Sequence, residues 1–453
     1  MPAALEVIPR HGENREANWV NRLFSREGYT PEYQELKFTL HRKLLDRINL
    51  EVLSSMAGER VRAEIRAAVA KLVEEEKTPL SLVEKDRVIE EILDEVFGLG
   101  PLEPLLQDPT VSDILVTGPR LVYVERGGKL YRTPVEFKDD AHLLRIIEKI
   151  VSRVGRRVDE SSPLVDARLP DGSRVNAAIP PVAVDGPLLS IRRFGRTALK
   201  GEDLVAKQAM TEGMLELLKA CVKARLNILI CGGTGSGKTT LLNALSSYIP
   251  EDERIVTIED AAELRLQQTH VARMETRPAN VEGVGAIHIR QLVTNALRMR
   301  PDRIIVGEVR SEEALDMLQA MNTGHDGSLT TIHANTPRDG LSRLEVMVGM
   351  ANANMGLRSI RQQIASAVNL FVQVARFSDG TRRVTHITEV VGMEQDIITL
   401  QDVFLLEKTG ITETGRVVGR FRATGIRPKF SERLKACGIA LPAQLFQTVV
   451  EFN

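Results

Sequence analysis

The chain has 453 residues, of which 43% are hydrophobic and 27% are charged, and this is ordinary globular composition for two to four domains. Its formal net charge is −1 and only 4% of its residues are aromatic, which disfavours single-stranded nucleic acid as the main partner, because such binding needs a positive groove and stacking rings. Three scattered cysteines exclude a disulfide framework and a four-cysteine zinc module, and favour a reducing, cytoplasmic compartment.

The N-terminal part of the sequence predicts a polar start followed by helices. Residues 1–27 lack the apolar run of a signal peptide and are expected to be disordered. Residues 28–99 contain three amphipathic stripes, which predict a three-helix bundle with Ser81 as a cap of the third helix. The stripes are Leu36, Leu40, Leu44 and Ile48; Val61, Ile65, Val69 and Leu72; and Val88, Ile89, Ile92, Leu93, Val96 and Phe97. No stretch reaches the roughly 20 apolar residues of a membrane span, so we expect membrane association only through partners.

A small α+β domain is predicted for residues 100–202, after a linker rich in glycine and proline. Short alternating segments predict a strand at 112–118 and a hairpin at 121–133, and residues 142–154 predict a helix. Two further strand-like segments, 168–176 and 188–194, both carry arginines.

A phosphate-binding loop follows in the sequence "LNILICGGTGSGKTTLLNAL". A short apolar strand, Asn227 to Cys231, precedes the loop and an amphipathic helix follows it, which is the P-loop pattern in its required context. Backbone N–H groups and the helix N-terminus favour phosphate there, Lys238 would reach the β- and γ-phosphates, and Thr239 would bind Mg²⁺. The residues expected to contact the nucleotide are Gly232, Gly233, Thr234, Gly235, Ser236, Gly237, Lys238, Thr239 and Thr240.

Two later apolar strands end in carboxylates. The segment "RIIVGEVR", residues 303–310, carries Glu308 where such a strand usually has an aspartate for Mg²⁺. Asp302 lies at the other end of that strand, about 20 Å away in an extended chain. The segment "IVTIEDAAEL" ends in Glu259, Asp260 and Glu263. A parallel sheet would bring these strand ends to the edge that carries the P-loop.

The segment "GHDGSLTTIHAN", residues 324–335, contains two of the eight histidines. A zinc site is disfavoured because His325 and His333 are eight residues apart and no third ligand is evident. A hydrolase with Ser328 as nucleophile is disfavoured because the G-x-S-x-G turn is absent. A polar turn with a purely structural role remains open on these residues alone.

The P-loop, the acidic segment, the strand with Glu308 and the two-histidine segment occur in an order that resembles the secretion and type IV pilus ATPase superfamily, over about residues 100–375. The helical bundle and the lack of paired cysteines most resemble the Tad (tight adherence, Flp) pilus ATPases of the CpaF or TadA group. The resemblance implies an α/β fold with a RecA-like core at residues 203–453, in which 377–453 add strands and a helix without catalytic signature. It also implies a cytoplasmic homo-hexamer, peripheral at the inner membrane, that uses ATP and Mg²⁺ to act on inner-membrane pilus platform proteins, with no nucleic acid expected.

Roles for individual residues come from the same resemblance. His325 and His333 would sense the γ-phosphate side of the nucleotide and couple subunits. Either Glu308 or Glu259 could orient the attacking water; Glu308 is favoured because its strand is expected beside the P-loop strand, which leaves Glu259 and Glu263 to hold Mg²⁺ through water.

Arginines of the α+β domain would meet the nucleotide, which points to Arg174, Arg192 and Arg193. Three other functions remain open, namely a type II/IV secretion ATPase, a nucleic-acid translocase on the same core and a P-loop regulator that only senses nucleotide.

Overall fold

The computed structural model describes residues 31–47, 58–76, 78, 80–193, 199–279, 284–352 and 354–452. The segment predicted to be disordered and Ile48 of the first predicted helix lie outside the described residues. The chain divides into two compact units, Met1–Gly195 and Arg196–Asn453. In the ranges just given, no helix is both long and apolar enough to cross a membrane.

Three amphipathic helices open the N-terminal unit: α1 (Pro31–Arg47), α2 (Gly58–Glu75) and α3 (Leu82–Phe97). The predicted stripes supply their common core, because side chains three or four residues apart share one helix face. Ser81 caps α3 as predicted. Its hydroxyl accepts a hydrogen bond from the N–H of Glu84 at 3.3 Å, and the Glu84 carboxylate accepts one from the N–H of Ser81 at 2.8 Å.

An antiparallel sheet of six strands forms the rest of this unit, in the order β3-β2-β1-β6-β5-β4. The strands are β1 (Val111–Thr117), β2 (Leu121–Arg126), β3 (Lys129–Arg132), β4 (Leu164–Arg168), β5 (Arg174–Ala178) and β6 (Leu188–Arg192). Two helices accompany them, α4 (Glu103–Gln107) and α5 (Asp140–Arg153). Apolar residues of α5 share a core with alternate residues of the strands, so one face of the sheet is covered.

Polar contacts connect α3 to α5 within this unit. Glu95 Oε2 lies 2.9 Å from Nε2 of His142, and both side chains are buried. Lys149 donates a hydrogen bond to the carbonyl of Val96 at 2.9 Å, where the negative end of the α3 dipole favours a cation. The bundle is therefore attached to the α+β part by groups that are costly to separate.

The C-terminal unit is built on a sheet of ten strands in the order β16-β15-β14-β13-β12-β7-β11-β10-β8-β9. The stretch from β12 to β9 is parallel and the stretch from β16 to β12 is antiparallel. The strands are β7 (Ile228–Gly232), β8 (Ile255–Glu259), β9 (Val271–Glu275), β10 (Arg303–Val309), β11 (Leu329–Ile332), β12 (Leu370–Arg376), β13 (Arg382–Glu394), β14 (Ile397–Ile411), β15 (Val417–Ala423) and β16 (Val449–Phe452).

Helices cover this sheet. They are α6 (Gly201–Ala206), α7 (Glu212–Lys223), α8 (Lys238–Ser246), α9 (Ile289–Ala296), α10 (Glu313–Asn322), α11 (Pro337–Ala351), α12 (Leu357–Ala367) and α13 (Ser431–Ala436). Alternate residues of β7 enter two separate hydrophobic cores, so both faces of the central strand are buried. The predicted α/β fold class is confirmed.

The strand order corrects one expectation. The strand that carries Glu308 was expected beside the P-loop strand, but β11 lies between them and pairs in parallel with both β7 and β10. The sequence does not reveal β11, because it has only four residues, two of them threonine, inside a segment that reads as a polar turn. Its insertion places part of the two-histidine segment inside the parallel half of the sheet.

A fully buried arginine joins three parts of the C-terminal unit. Arg303 is 0% exposed, and its Nε and Nη2 lie 2.5 and 3.2 Å from the two carboxylate oxygens of Glu253. It also donates to the carbonyls of Val222 at 2.8 Å and Gly327 at 3.2 Å. A β-carbon at Gly327 would lie 2.0 Å from the guanidinium, so only glycine fits there.

Replacing Arg303 with alanine should lower the free energy of unfolding by about 3–5 kcal/mol, because the buried carboxylate of Glu253 would lose its buried partner and keep only the more exposed Arg225, 3.3 Å away. Thermal and urea unfolding followed by circular dichroism would measure the change. Arg358→Ala is the matched control, since Arg358 pairs with Asp396 at the surface (78% and 66% exposed side chains) and should cost less than about 1 kcal/mol. Equal losses in both variants would contradict the assignment of Arg303.

Candidate functional site

The P-loop connects the end of β7 to the start of α8. Gly235 and Gly237 have φ of 67° and 99°, which favour glycine, and α8 begins directly after Gly237. A β-carbon at Gly232 would lie 2.4 Å from the Ser236 hydroxyl and 2.6 Å from the Val374 carbonyl, so the loop can pass β12 only with glycine there. Ser236 donates to the Gly233 carbonyl at 2.9 Å and closes the loop.

The loop has the features of a phosphate site. Its left-handed glycines and the first turn of α8 offer backbone N–H groups to an anion, and the helix dipole adds positive potential. Thr239 is the second residue of α8, where its hydroxyl is available beside such an anion. Lys238 is only 8% exposed and donates to the Gly233 carbonyl at 3.1 Å. These residues fit a nucleotide polyphosphate.

His333 lies between the P-loop and Glu308. Its Nε2 is 3.3 Å from Nζ of Lys238 and 2.8 Å from Oε1 of Glu308. The arrangement follows from the strand order, since these three residues follow or end the adjacent strands β7, β11 and β10. The histidine of the intervening strand therefore lies within 3.3 Å of the P-loop lysine and 2.8 Å of Glu308, although the strand of Glu308 is not adjacent to β7.

Burial and the neighbouring charges shift the pKa values of Lys238 and His333. Burial lowers the pKa of Lys238, and the Glu308 carboxylate opposes that shift. Burial and then the positive charge of Lys238 lower the pKa of His333, so this imidazole is neutral at neutral pH. A neutral ring can exchange partners between a lysine, a carboxylate and an incoming phosphate without carrying a charge of its own.

Glu259 ends β8 and is 3% exposed. One carboxylate oxygen accepts hydrogen bonds from the N–H groups of Glu263 and Leu264 at 2.7 and 2.9 Å, while the other oxygen is buried without a protein partner. Burial raises the pKa of Glu259, and the two N–H groups oppose that shift. Glu263 contributes its backbone to this turn.

The two histidines, both expected to sense the γ-phosphate side and to couple subunits, lie at opposite ends of β11. His333 follows the carboxyl end of the strand, whereas His325 precedes its amino end. The turn beside His325 binds Asn227 at the start of β7, which accepts from the N–H groups of Gly327 and Ser328 at 2.8 and 2.9 Å. Parallel strands carry the chain from one edge of the sheet to the other, so His325 does not join the phosphate site of its own chain.

Arg382 is a site residue that sequence reasoning missed. It begins β13 and its Nε donates to the Gly235 carbonyl at 2.7 Å, which fixes the tip of the P-loop. The turn before it is held by Asp379, whose carboxylate accepts from the N–H groups of Thr381 and Val417, each at 2.9 Å. Pairing of β12 with β7 brings this turn to the loop, and no motif in the sequence indicates that pairing.

Arginines occupy consecutive positions in one cross-strand row of the N-terminal unit. Arg168 is opposite Arg174, and Arg174 is opposite Arg192, so their side chains share the face of the sheet that alternates with the buried one. Asp113 and Glu125 continue the row, and Arg192 Nε lies 3.0 Å from Asp113 Oδ1. Like charges directly opposite one another are destabilising, and the contact of Arg192 with Asp113 offsets part of this repulsion.

Arg193 differs from Arg174 and Arg192, the other two arginines predicted to meet the nucleotide. Its guanidinium donates to the carbonyls of Asp108 and Val111, the latter at 3.2 Å, so it holds the chain entering β1. Successive strand residues point to opposite faces, which takes Arg193 away from the row that contains Arg192. The structure thus separates Arg174 and Arg192 from Arg193, and adds Arg168.

A fully protein-built metal site is absent from the described residues, where no three His, Cys, Asp or Glu side chains are grouped as ligands. Mg²⁺ that enters a P-loop site with a nucleotide takes one hydroxyl, phosphate oxygens and water. Thr239 would supply the hydroxyl. The free oxygen of Glu259 could accept from metal-bound water.

Comparison with known proteins is consistent with this geometry. A family model described as "Type II/IV secretion system protein" matches residues 95–418. The chain belongs to this family. The match spans both units and includes the P-loop, Glu259, Glu308 and His333, and membership confirms the predicted RecA-like core.

Members of the type II/IV secretion family include several relatives of this chain. A putative conjugal transfer protein of Mycobacterium tuberculosis is 42% identical over 299 residues, which are 65% of this chain and 84% of that protein. The conjugal transfer protein TrbB of Rhizobium radiobacter is 34% identical over 63% of this chain and 86% of its own length. The crystal structure of the VirB11 ATPase of the Brucella suis type IV secretion system is 27% identical over 67% of this chain and 96% of that chain, with a TM-score of 0.35.

Proposed function

We propose that this protein is a hexameric motor ATPase that hydrolyses ATP, bound with Mg²⁺, to drive assembly of a Tad-type pilus through an inner-membrane platform protein. The observation that carries the proposal is the meeting of Lys238, His333 and Glu308 at the carboxyl ends of three adjacent strands. The order of motifs and the N-terminal helices support the Tad assignment.

The residues divide the reaction between them. The P-loop N–H groups and Lys238 bind the phosphates, and Mg²⁺ when bound neutralises negative charge that develops on them. Glu308 orients the attacking water. His333 couples the position of Glu308 to the state of the phosphates. Glu259, with its free buried oxygen, holds water beside Thr239. Closure of the arginine row of a neighbouring or the same chain on the nucleotide would convert hydrolysis into movement.

The names of the relatives favour a second candidate, an ATPase of a secretion or conjugation apparatus. Deletion of the gene in the host separates the two. Loss of surface pili with normal conjugative transfer favours the Tad motor, and the reverse favours the second candidate. A translocase on nucleic acid would instead show salt-sensitive stimulation of hydrolysis by DNA.

Purified protein should hydrolyse ATP with a specific activity that rises with protein concentration, because a motor of this kind works as an assembled ring. Phosphate release measured beside light-scattering mass, with and without nucleotide, tests this. A monomer that turns over ATP at a constant specific activity contradicts the hexameric motor. A protein that binds ATP without turnover at any mass would be a nucleotide-sensing regulator.

Glu308→Gln should bind ATP and Mg²⁺ about as well as the parent protein but lower kcat by about a hundredfold or more, because the amide keeps the shape and loses the charge that orients water. Glu259→Gln should instead raise the Mg²⁺ concentration needed for half-maximal rate and recover activity when Mg²⁺ is abundant. Rate against Mg²⁺ concentration distinguishes the two. Recovery of Glu308→Gln by Mg²⁺, with trapping of ATP by Glu259→Gln, would exchange the two roles.

Among the arginines, Arg174→Ala or Arg192→Ala should lower kcat by about a hundredfold or more with nucleotide affinity nearly kept, because charge stabilisation confined to the transition state affects rate and not ground-state binding. Arg193→Ala is the matched control from the same strand end, and should mainly lower the melting temperature, since it loses two carbonyl contacts. Steady-state kinetics, fluorescent nucleotide binding and thermal unfolding measure these effects. Normal turnover in both row variants would remove the row from the mechanism.

A further inference from the structure

Arg310 lies at the end of β10, two residues after Glu308, and has no role in the mechanism given above. We propose that Arg310 is a positioning residue for hydrolysis, which fixes the direction of the Glu308 carboxylate by joining it to Asp260 at the end of β8. This inference rests on the proposed function and identifies a residue through which Glu308 works.

The guanidinium bridges two carboxylates. Nε and Nη2 of Arg310 lie 2.8 and 2.5 Å from Oε2 of Glu308, and Nη1 lies 2.8 Å from Oδ2 of Asp260. Because β8 and β10 are adjacent parallel strands, the bridge spans the edge of the sheet where the P-loop also lies. A planar guanidinium can make three such contacts in fixed directions, whereas the ammonium of a lysine cannot.

The backbone of Arg310 is itself held. Glu313, which is 7% exposed, accepts hydrogen bonds from the N–H groups of Arg310 at 2.6 Å and Ser311 at 2.9 Å. These contacts fix the turn between β10 and α10. The guanidinium therefore starts from a defined position.

Arg310 makes the hydrogen bonds that orient Glu308. Its Nε and Nη2 both donate to Oε2, while Oε1 lies 2.8 Å from His333 Nε2 and is buried without a hydrogen-bond partner among the described residues. Two hydrogen bonds to one oxygen fix the direction of the carboxylate, and a general base must be aligned with the proton that it accepts. Removing Arg310 would leave only the contact with His333.

An exposed ion pair with no function is the competing explanation, since such pairs contribute little to stability. The side chain of Arg310 is 50% exposed, but that of Glu308 is only 18% exposed, and the same guanidinium engages a second carboxylate. This is a network around one shielded carboxylate. An ion pair without function would not need to involve Glu308, the residue proposed to orient water.

A double-mutant cycle with Glu308 tests the inference. Arg310→Ala in the full-length protein should lower kcat for ATP by about tenfold or more, with KM changed by less than about threefold. In the Glu308→Gln background, Arg310→Ala should add less than about a twofold further loss, because a positioning residue has no effect once the group that it positions is gone. Single-turnover rates at saturating Mg²⁺ and ATP make the slow variants measurable.

Arg310→Lys and added guanidinium ion are the further readouts. Lysine should restore less than half of the lost rate, and millimolar guanidinium should raise the rate of Arg310→Ala but not that of Arg310→Lys. Melting temperature and binding of a fluorescent ATP analogue check the fold of each variant. Arg358→Ala, which removes an exposed ion pair with Asp396, should match the parent protein in rate.

Three outcomes would overturn the inference in a protein that hydrolyses ATP. They are a parent-like kcat for Arg310→Ala, a fully multiplicative loss in the double variant, and a rise in KM with kcat retained, which would indicate direct nucleotide contact. A parent protein without ATPase activity would instead overturn the proposed function, so the two failures are distinguishable.

Discussion

The contact that His333 makes with both Lys238 and Glu308 organises the candidate site. It exists because β11 is inserted between β7 and β10, so the residue after β11 falls between the ends of its neighbours. This insertion places the strands of the P-loop and of the carboxylate two strand spacings apart, about 10 Å, at the sheet edge. A neutral imidazole lies between the cation and the anion, where its Nε2 can accept a hydrogen bond from Lys238 without adding net charge.

Much of the charge in this protein is arranged in rows and bridges. In the N-terminal unit three arginines are neighbours across β4, β5 and β6, and one of them, Arg192, pairs with Asp113. In the C-terminal unit one buried arginine, Arg303, is surrounded by carbonyls and a carboxylate. The same residue type is therefore placed in a row on one face of a sheet in the first unit and enclosed by its partners in the second.

The sequence predicts whatever is encoded locally. Helical stripes, the cap at Ser81, the strands around the P-loop and the loop itself depend on residues close together in the chain, and all are present. Three features depend on residues distant in sequence and could not be predicted. The four residues of β11 give no strand signal. The contact of Arg382 with the P-loop joins two residues that are 147 positions apart in the sequence. The position of His325 is decided by the direction of β11. The residues were identified more accurately than their arrangement, because strand order is a property of the whole sheet.

The hydrogen bond from Arg382 to the Gly235 carbonyl connects the nucleotide loop to a surface hairpin that has no motif of its own. Asp379 extends the connection to Val417 at the start of β15, so the hairpin is also held to the next strand pair of the antiparallel half. Substitutions in this turn are therefore limited by its contact with the P-loop. Over evolutionary time, the hairpin and the loop should change together, and the C-terminal strands should be inherited with the ATPase core as one module.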